Sequence, residues 1–184
     1  CIYDIGLFQE AMHEQDCEKL NKLGQSDNQN IKPEIQWLKN KVLANEQVEY
    51  GVEFEQYGYH NPVTGIDDTI CNNTHVTGTP FIQTGSSVAE ATVTLTVGPK
   101  NIGGAHSHII NKESHMFSFG DIKTLLEMYD YALPKRKHLV TYMIVCNNPQ
   151  DPQNPLTYAL TVNDFNALSL AFNSVWNDPK YSLK

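Results

Sequence analysis

Cationic charge is scarce in this sequence, cysteines are few and scattered, and long apolar runs are missing. Lys and Arg number 13 against 21 Asp and Glu, a formal net charge of -8. A nucleic acid or an anionic membrane surface is therefore not the expected main partner. No stretch approaches the roughly 18–20 apolar residues that carry a helix across a bilayer. The four cysteines, Cys1, Cys17, Cys71 and Cys146, stand far apart and form no C-x-x-C pair. That spacing excludes the usual structural zinc knuckle and a dense disulfide framework. Cys146 ends an apolar run and reads as a buried thiol. The chain opens at Cys1 instead of Met, which fits an expression or proteolytic boundary. It also fits a lipid-modified cysteine left after signal cleavage, a reading that leans towards a secreted or cell-surface protein over a cytoplasmic one.

What is present is ordinary globular material: 184 residues, 40% apolar and 18% charged, enough for one domain with its own core. The pattern predicts an α/β (α+β) fold, a mixed β-sheet flanked by helices. A helical extension over 1–45 is expected to pack on a domain over 46–184. In the extension, Phe8, Ala11, Met12, Leu20 and Leu23 recur at loosely helical spacing before Gly24. A second helix starts near Pro33, with Ile35, Leu38, Val42 and Leu43 as its stripe. Val48, Tyr50, Val52 and Phe54 alternate with Glu49, Gly51, Glu53 and Glu55, the period of a half-buried strand. Tyr57–Gly78 is polar and reads as a long loop or a weak hairpin, with His60 and His75 solvated and Asp67–Asp68 in a turn.

Further strands are predicted over Ala89–Val97, Ile102–His108, His138–Cys146 and Leu156–Val162. Helices are predicted over Asp121–Leu133, with a stripe of Ile122, Leu125, Leu126, Tyr129 and Leu133, and over Asn163–Trp176.

The chemistry lies in Gly103–Asp121. His106 and His108 are two apart on an extended segment, so both imidazoles share one face and can hold one ion through nitrogen. Gly103 and Gly104 fit a place where a strand admits something close. Ser118 reads as the N-cap of the next helix, which puts Asp121 in its first turn, a carboxylate within reach. Two imidazoles, one carboxylate and an open position form a catalytic zinc arrangement, Zn2+ lowering the pKa of bound water towards 7. Glu49, on the polar face of the first strand, suits a general base, and Ser118 suits a donor to an oxyanion. Glu46, Glu53 and Glu55 compete with Glu49. Met116 and Phe117 are expected to pack the intervening loop onto the body.

His-Ser-His followed by Ser-x-x-Asp resembles the JAMM motif, H-x-H-(x)n-S-x-x-D, of the JAB/MPN metallopeptidases. Glu49-Tyr50-Gly51 is similar to their upstream glutamate segment. The resemblance runs from Glu49 to Val162 and implies a JAB/MPN-like fold with cytidine-deaminase-like layering. It implies His106, His108 and Asp121 as zinc ligands, Glu49 as acid/base and Ser118 in support, acting on a peptide or protein substrate. Ile109 stands where the family has Pro, and nine residues separate His108 from Ser118. That longer loop is similar to JAB-like domains of bacterial secreted toxins.

Two other readings share these residues. His106, His108 and Glu113 before Gly120 match the end of the first cupin motif, H-x-H-(x)4-E-(x)6-G. A cupin, however, continues in strands, and here a helix follows. The third reading is a non-catalytic JAB/MPN-like binding module. Taken singly, Asp121 is an ordinary helix-start carboxylate and Ser118 an ordinary cap.

Overall fold

The computed structural model describes residues 31–65, 67–84, 87–89, 91–110 and 116–176. The helix expected over Phe8–Leu23, and with it Cys1, Cys17 and His13, lies outside the described residues, as do Glu113 and His115 of the loop.

Helix α1 (Ile31–Ala44) buries Ile31, Leu38 and Val42, residues at i, i+7 and i+11 that fall on one stripe. Leu43, expected on that stripe, is exposed. Asn45 ends the helix with φ 51°, and its N–H bonds back to the Val42 carbonyl at 3.0 Å. Asn is one of the few residues other than Gly that tolerates this left-handed cap position.

Strands β1 (Val48–His60) and β2 (Asp67–Pro80) form a long antiparallel hairpin. Of the loop and the hairpin, the hairpin is the one formed, and it spans the whole segment. Asp67 and Asp68 open β2 and so do not sit in a turn. The hydrophobic pattern hid this strand because β2 is a sheet edge: its partner satisfies the backbone, while its residues from Cys71 to Pro80 are largely polar and none is buried. His75 is not simply solvated. It stacks on Trp37 at 3.9 Å and meets the Glu34 carboxylate at 2.5 Å.

A small hairpin, β3 (Ile82–Thr84) with β4 (Ser87–Ala89), leads to a correction. The strand expected over Ala89–Val97 is not a strand. Residues 91–97 form an irregular strap tied to β2 through a single bridge between Thr79 and Thr92. The alternation that suggested a strand is real, since Ala91 and Leu95 are buried. β1 is already bonded to β2 on one side and β5 (Asn101–Ser107) on the other, and the strap meets the edge strand β2 only at that bridge.

After β5 come α2 (Phe119–Tyr131), a 3-10 turn (Pro134–Leu139), β6 (Thr141–Cys146), β7 (Leu156–Thr161) and α3 (Phe165–Trp176). Pro134 starts the 3-10 turn, so the expected strand from His138 begins only at Thr141. Leu133, beyond the end of α2, is exposed. The five-stranded sheet has the order β2-β1-β5-β6-β7. Only β5 and β6 run parallel, joined by α2 as the crossover, and the other pairs are antiparallel. This is a mixed sheet flanked by helices, as expected.

The sheet buries both faces. On one, Tyr50, Val52, Phe54, Ala105, Met143 and Val145 pack against α1. On the other, Leu95 of the strap and Tyr142 pack with Leu125 and Met128 of α2. Glu49, Gly51 and Glu53 belong to this second face, which explains why a strand expected to have one solvated side has none.

Two glycines fix how the strands approach. A Cβ on Gly103, whose φ is +155°, would lie 2.0 Å from the Thr141 carbonyl oxygen. A Cβ on Gly104 would lie 2.5 Å from Leu95 Cδ1. What these glycines admit is the β6 backbone and the strap, and not a ligand.

Candidate metal site

The pairing register assembles the site. Gly51 lies opposite His106 in the antiparallel β1–β5 pair. Continuing that register two residues outward sets Glu49 across from His108, on the same face. Gly51 leaves the space in which Leu95 closes over the strands, since a Cβ there would be 2.7 Å from Leu95 Cδ2. Behind the site, the Tyr50 N–H donates to Ser107 Oγ at 3.0 Å and the His108 N–H to the Val145 carbonyl at 2.9 Å.

Helix α2 contributes the second carboxylate. Ser118 is its N-cap: Ser118 Oγ accepts from the Asp121 N–H at 3.2 Å, and the Ser118 N–H donates to Asp121 Oδ2 at 2.6 Å. This reciprocal capping box satisfies two of the helix's orphan donors. It also orients the carboxylate. With Oδ2 held by the cap, Oδ1 lies 3.4 Å from His106 Nε2, and Oδ2 is 4.0 Å from His108 Nε2. The two imidazole Nε2 atoms are 3.0 Å apart.

Glu49, His106, His108 and Asp121 are 3–7% exposed. Donor atoms of Glu49, His106 and His108 all lie within 4.8 Å of one another, a group that could hold a metal ion. Two donors on a tetrahedral ion with bonds of about 2.0–2.1 Å sit roughly 3.3 Å apart. The His106–His108 and His106–Asp121 separations bracket that edge, while the 4.0 Å between His108 and Asp121 exceeds it, so Asp121 must close on His108 to share an ion with both imidazoles.

Burial lowers the His106 pKa from 6.5 to about 4, Asp121 opposing this and His108 adding to it. The ring is therefore held neutral, the form that ligates. His106 Nδ1 is buried and lies towards the Met143 backbone without a hydrogen bond of good geometry.

The competing glutamates go elsewhere. Glu46 is exposed, beside Lys41 and the Tyr50 hydroxyl. Glu53 is buried, and its carboxylate accepts the Thr96 N–H of the strap at 2.5 Å. Glu55 is half-buried and meets Asn72 at 3.4 Å. Of the four, Glu49 is the one placed with the imidazoles.

One participant escaped the sequence reading. Tyr142 is buried in β6, its ring 5.5 Å from that of His106. Burial, then the negative charges of Asp121 and Glu49, push its pKa far above the usual range, and its hydroxyl interacts with Thr124 and Asp121. A phenol kept protonated can donate to the Asp121 carboxylate and so support it. A tyrosine inside the otherwise apolar run HLVTYMIVC was the available signal, since a buried hydroxyl needs a partner. Cys146, ending the same strand, is the buried thiol expected, its pKa pushed up to about 11 by burial. Phe117 packs onto the body as expected, but Met116 is 71% exposed.

Compared with protein-family models, curated proteins and solved structures, the chain matches none. No helix among the described residues is long and apolar enough to cross a membrane.

Proposed function

We propose that this chain is a zinc-dependent hydrolase that cleaves a peptide or isopeptide amide bond. The observation that carries the reading is the convergence of two imidazoles and two carboxylates, brought in by β1, β5 with the residue after it, and α2, at one buried point. The H-x-H and S-x-x-D spacing, similar to the JAMM motif, supports the same assignment.

His106 and His108 would hold the ion through Nε2 and Asp121 through its carboxylate. Bound zinc supplies Lewis acidity, which polarises a scissile carbonyl and makes water acidic near neutral pH. Glu49, the remaining carboxylate, acts as general base: it takes the proton of the attacking water and passes it to the departing nitrogen. Ser118 keeps its hydroxyl hydrogen to donate while its oxygen accepts the cap bond, which suits it to the oxyanion. The cap and Tyr142 position Asp121, and Leu95 of the strap closes over Gly51 and Gly104 of the strands that carry the site.

The cupin reading fits less well, because β5 and the residue after it, which carry the two histidines, lead into α2 and an open five-stranded sheet instead of further barrel strands.

The test is zinc content by elemental mass spectrometry on protein purified without a histidine tag, paired with amide hydrolysis by wild type and Glu49→Gln. Equimolar zinc in both proteins, with turnover reduced by about 10²–10⁴-fold in the variant, supports the reading. Undiminished turnover in Glu49→Gln removes Glu49 as base. Loss of zinc there makes Glu49 a ligand. Zinc-replete wild type that cleaves no amide leaves a metal-stabilised binding module.

A further inference from the structure

An open groove of about 250 Å³ lies between the start of α2 and the face of α3. Its walls include Phe117, Ile122, Leu168, Phe172 and Val175. Phe119, 42% exposed, borders it with its ring 5.9 Å from that of Phe172. Among the described residues that line it, Ser118 alone carries a polar side chain, and none is charged. A charged or strongly polar occupant would lose its hydration there without compensation, whereas an apolar group would be stabilised.

The groove is joined to the metal site through Ser118. That residue forms part of its wall and is bonded in both directions to Asp121. A substrate whose carbonyl faces the Ser118 hydroxyl therefore lies beside a residue of the groove wall. In an extended peptide, neighbouring residues are about 3.3 Å apart, so the side chain flanking the cleaved bond reaches it.

We infer that this groove is a specificity subsite for a bulky apolar side chain adjacent to the scissile amide. The inference rests on the hydrolase reading above and names the substrate class: peptides with Phe, Leu or a similar residue at that position, not charged or small ones.

The experiment uses the zinc-loaded chain and Ala171→Trp, which fills the groove from an exposed helical position. Circular dichroism and zinc content check that the variant is intact. A randomised peptide library is digested, and N-acetyl-phenylalaninamide and N-acetyl-serinamide are titrated while methyl NMR signals of Ile122, Leu168 and Val175 are followed. Cleavage should favour bulky apolar residues by about 10–100-fold, the discrimination an apolar pocket provides. In Ala171→Trp that preference should vanish while cleavage at small residues persists. The phenylalanine amide alone should shift the methyl signals, and only in wild type.

Cleavage without apolar preference, or a preference untouched by Ala171→Trp, overturns the subsite. If no peptide in the library is cleaved with zinc bound, the hydrolase reading fails and the substrate role of the groove fails with it. The NMR titration then stands by itself: equal shifts with both amides, or none, reject selective apolar binding as well.

Discussion

Replacing Asp121 by Asn separates the metal-holding role of this carboxylate from its role as a helix cap. Asn is nearly isosteric, and its carbonyl can still accept the Ser118 N–H that Asp121 Oδ2 accepts at 2.6 Å. The capping box should survive, so the metal-free proteins should differ by no more than about 1 kcal/mol. Zinc distinguishes them. An ion that binds only the folded chain at about a thousandfold over its Kd adds ~4 kcal/mol. For a chain of 184 residues, that corresponds to a Tm rise of roughly 8–16 °C. Oδ1 lies 3.4 Å from His106 Nε2, close to a tetrahedral edge, so the variant loses a well-placed anionic donor. A hundredfold weaker affinity, about 2.7 kcal/mol, would leave only ~1.4 kcal/mol at the same zinc concentration, or roughly 3–6 °C. Differential scanning calorimetry with and without zinc, at fixed protein concentration, measures both shifts. An equal zinc-induced rise in wild type and Asp121→Asn would refute Asp121 as a ligand and favour Glu49, His106 and His108 as the holding set.

Other perturbations test the surroundings of the site. The metal-free protein should lose stability as pH falls from about 6.5 towards 4: the unfolded His106 takes up a proton near 6.5, whereas the folded imidazole resists until about 4. The loss approaches 3 kcal/mol in order of magnitude, and a Tm that falls equally in His106→Gln would show that another group is responsible. Tyr142→Phe should keep the fold and weaken zinc binding by about 10–100-fold in a competition titration, as expected for a residue supporting a ligand; unchanged affinity would reduce Tyr142 to packing. Gly103→Ala places a Cβ 2.0 Å from the Thr141 carbonyl at φ +155° and should cost on the order of 3 kcal/mol or more by urea denaturation. Gly65→Ala, at φ +68° with open space around it, should cost only about 1 kcal/mol, and a similar value for both would contradict the strand packing described.

The parts of this protein decided by the sequence alone are those whose cause is local. Two histidines two apart on an extended segment must share a face. Ser118 three residues before Asp121 at a helix start forms a cap, and the apolar spacing of Leu125 and Leu126 with the residues around them gives α2 its one buried stripe. The tertiary structure decided what depends on pairing, because backbone hydrogen bonds between strands are blind to the side chains they align. Four glutamates stood near β1 in the sequence, and only the register that sets Gly51 against His106 brings Glu49 to the imidazoles while sending Glu53 to the strap. The polar hairpin arm escaped hydrophobic pattern because its side chains have little to bury. The alternation over 91–97 marked burial correctly but not pairing, since side chains can be buried without a strand ladder and the strap meets β2 only at the Thr79–Thr92 bridge. The meeting of Tyr142 with Asp121, and the groove that opens beside Ser118, arise from the packing of α2 and α3 on one face of the sheet, a long-range arrangement that no local spacing encodes.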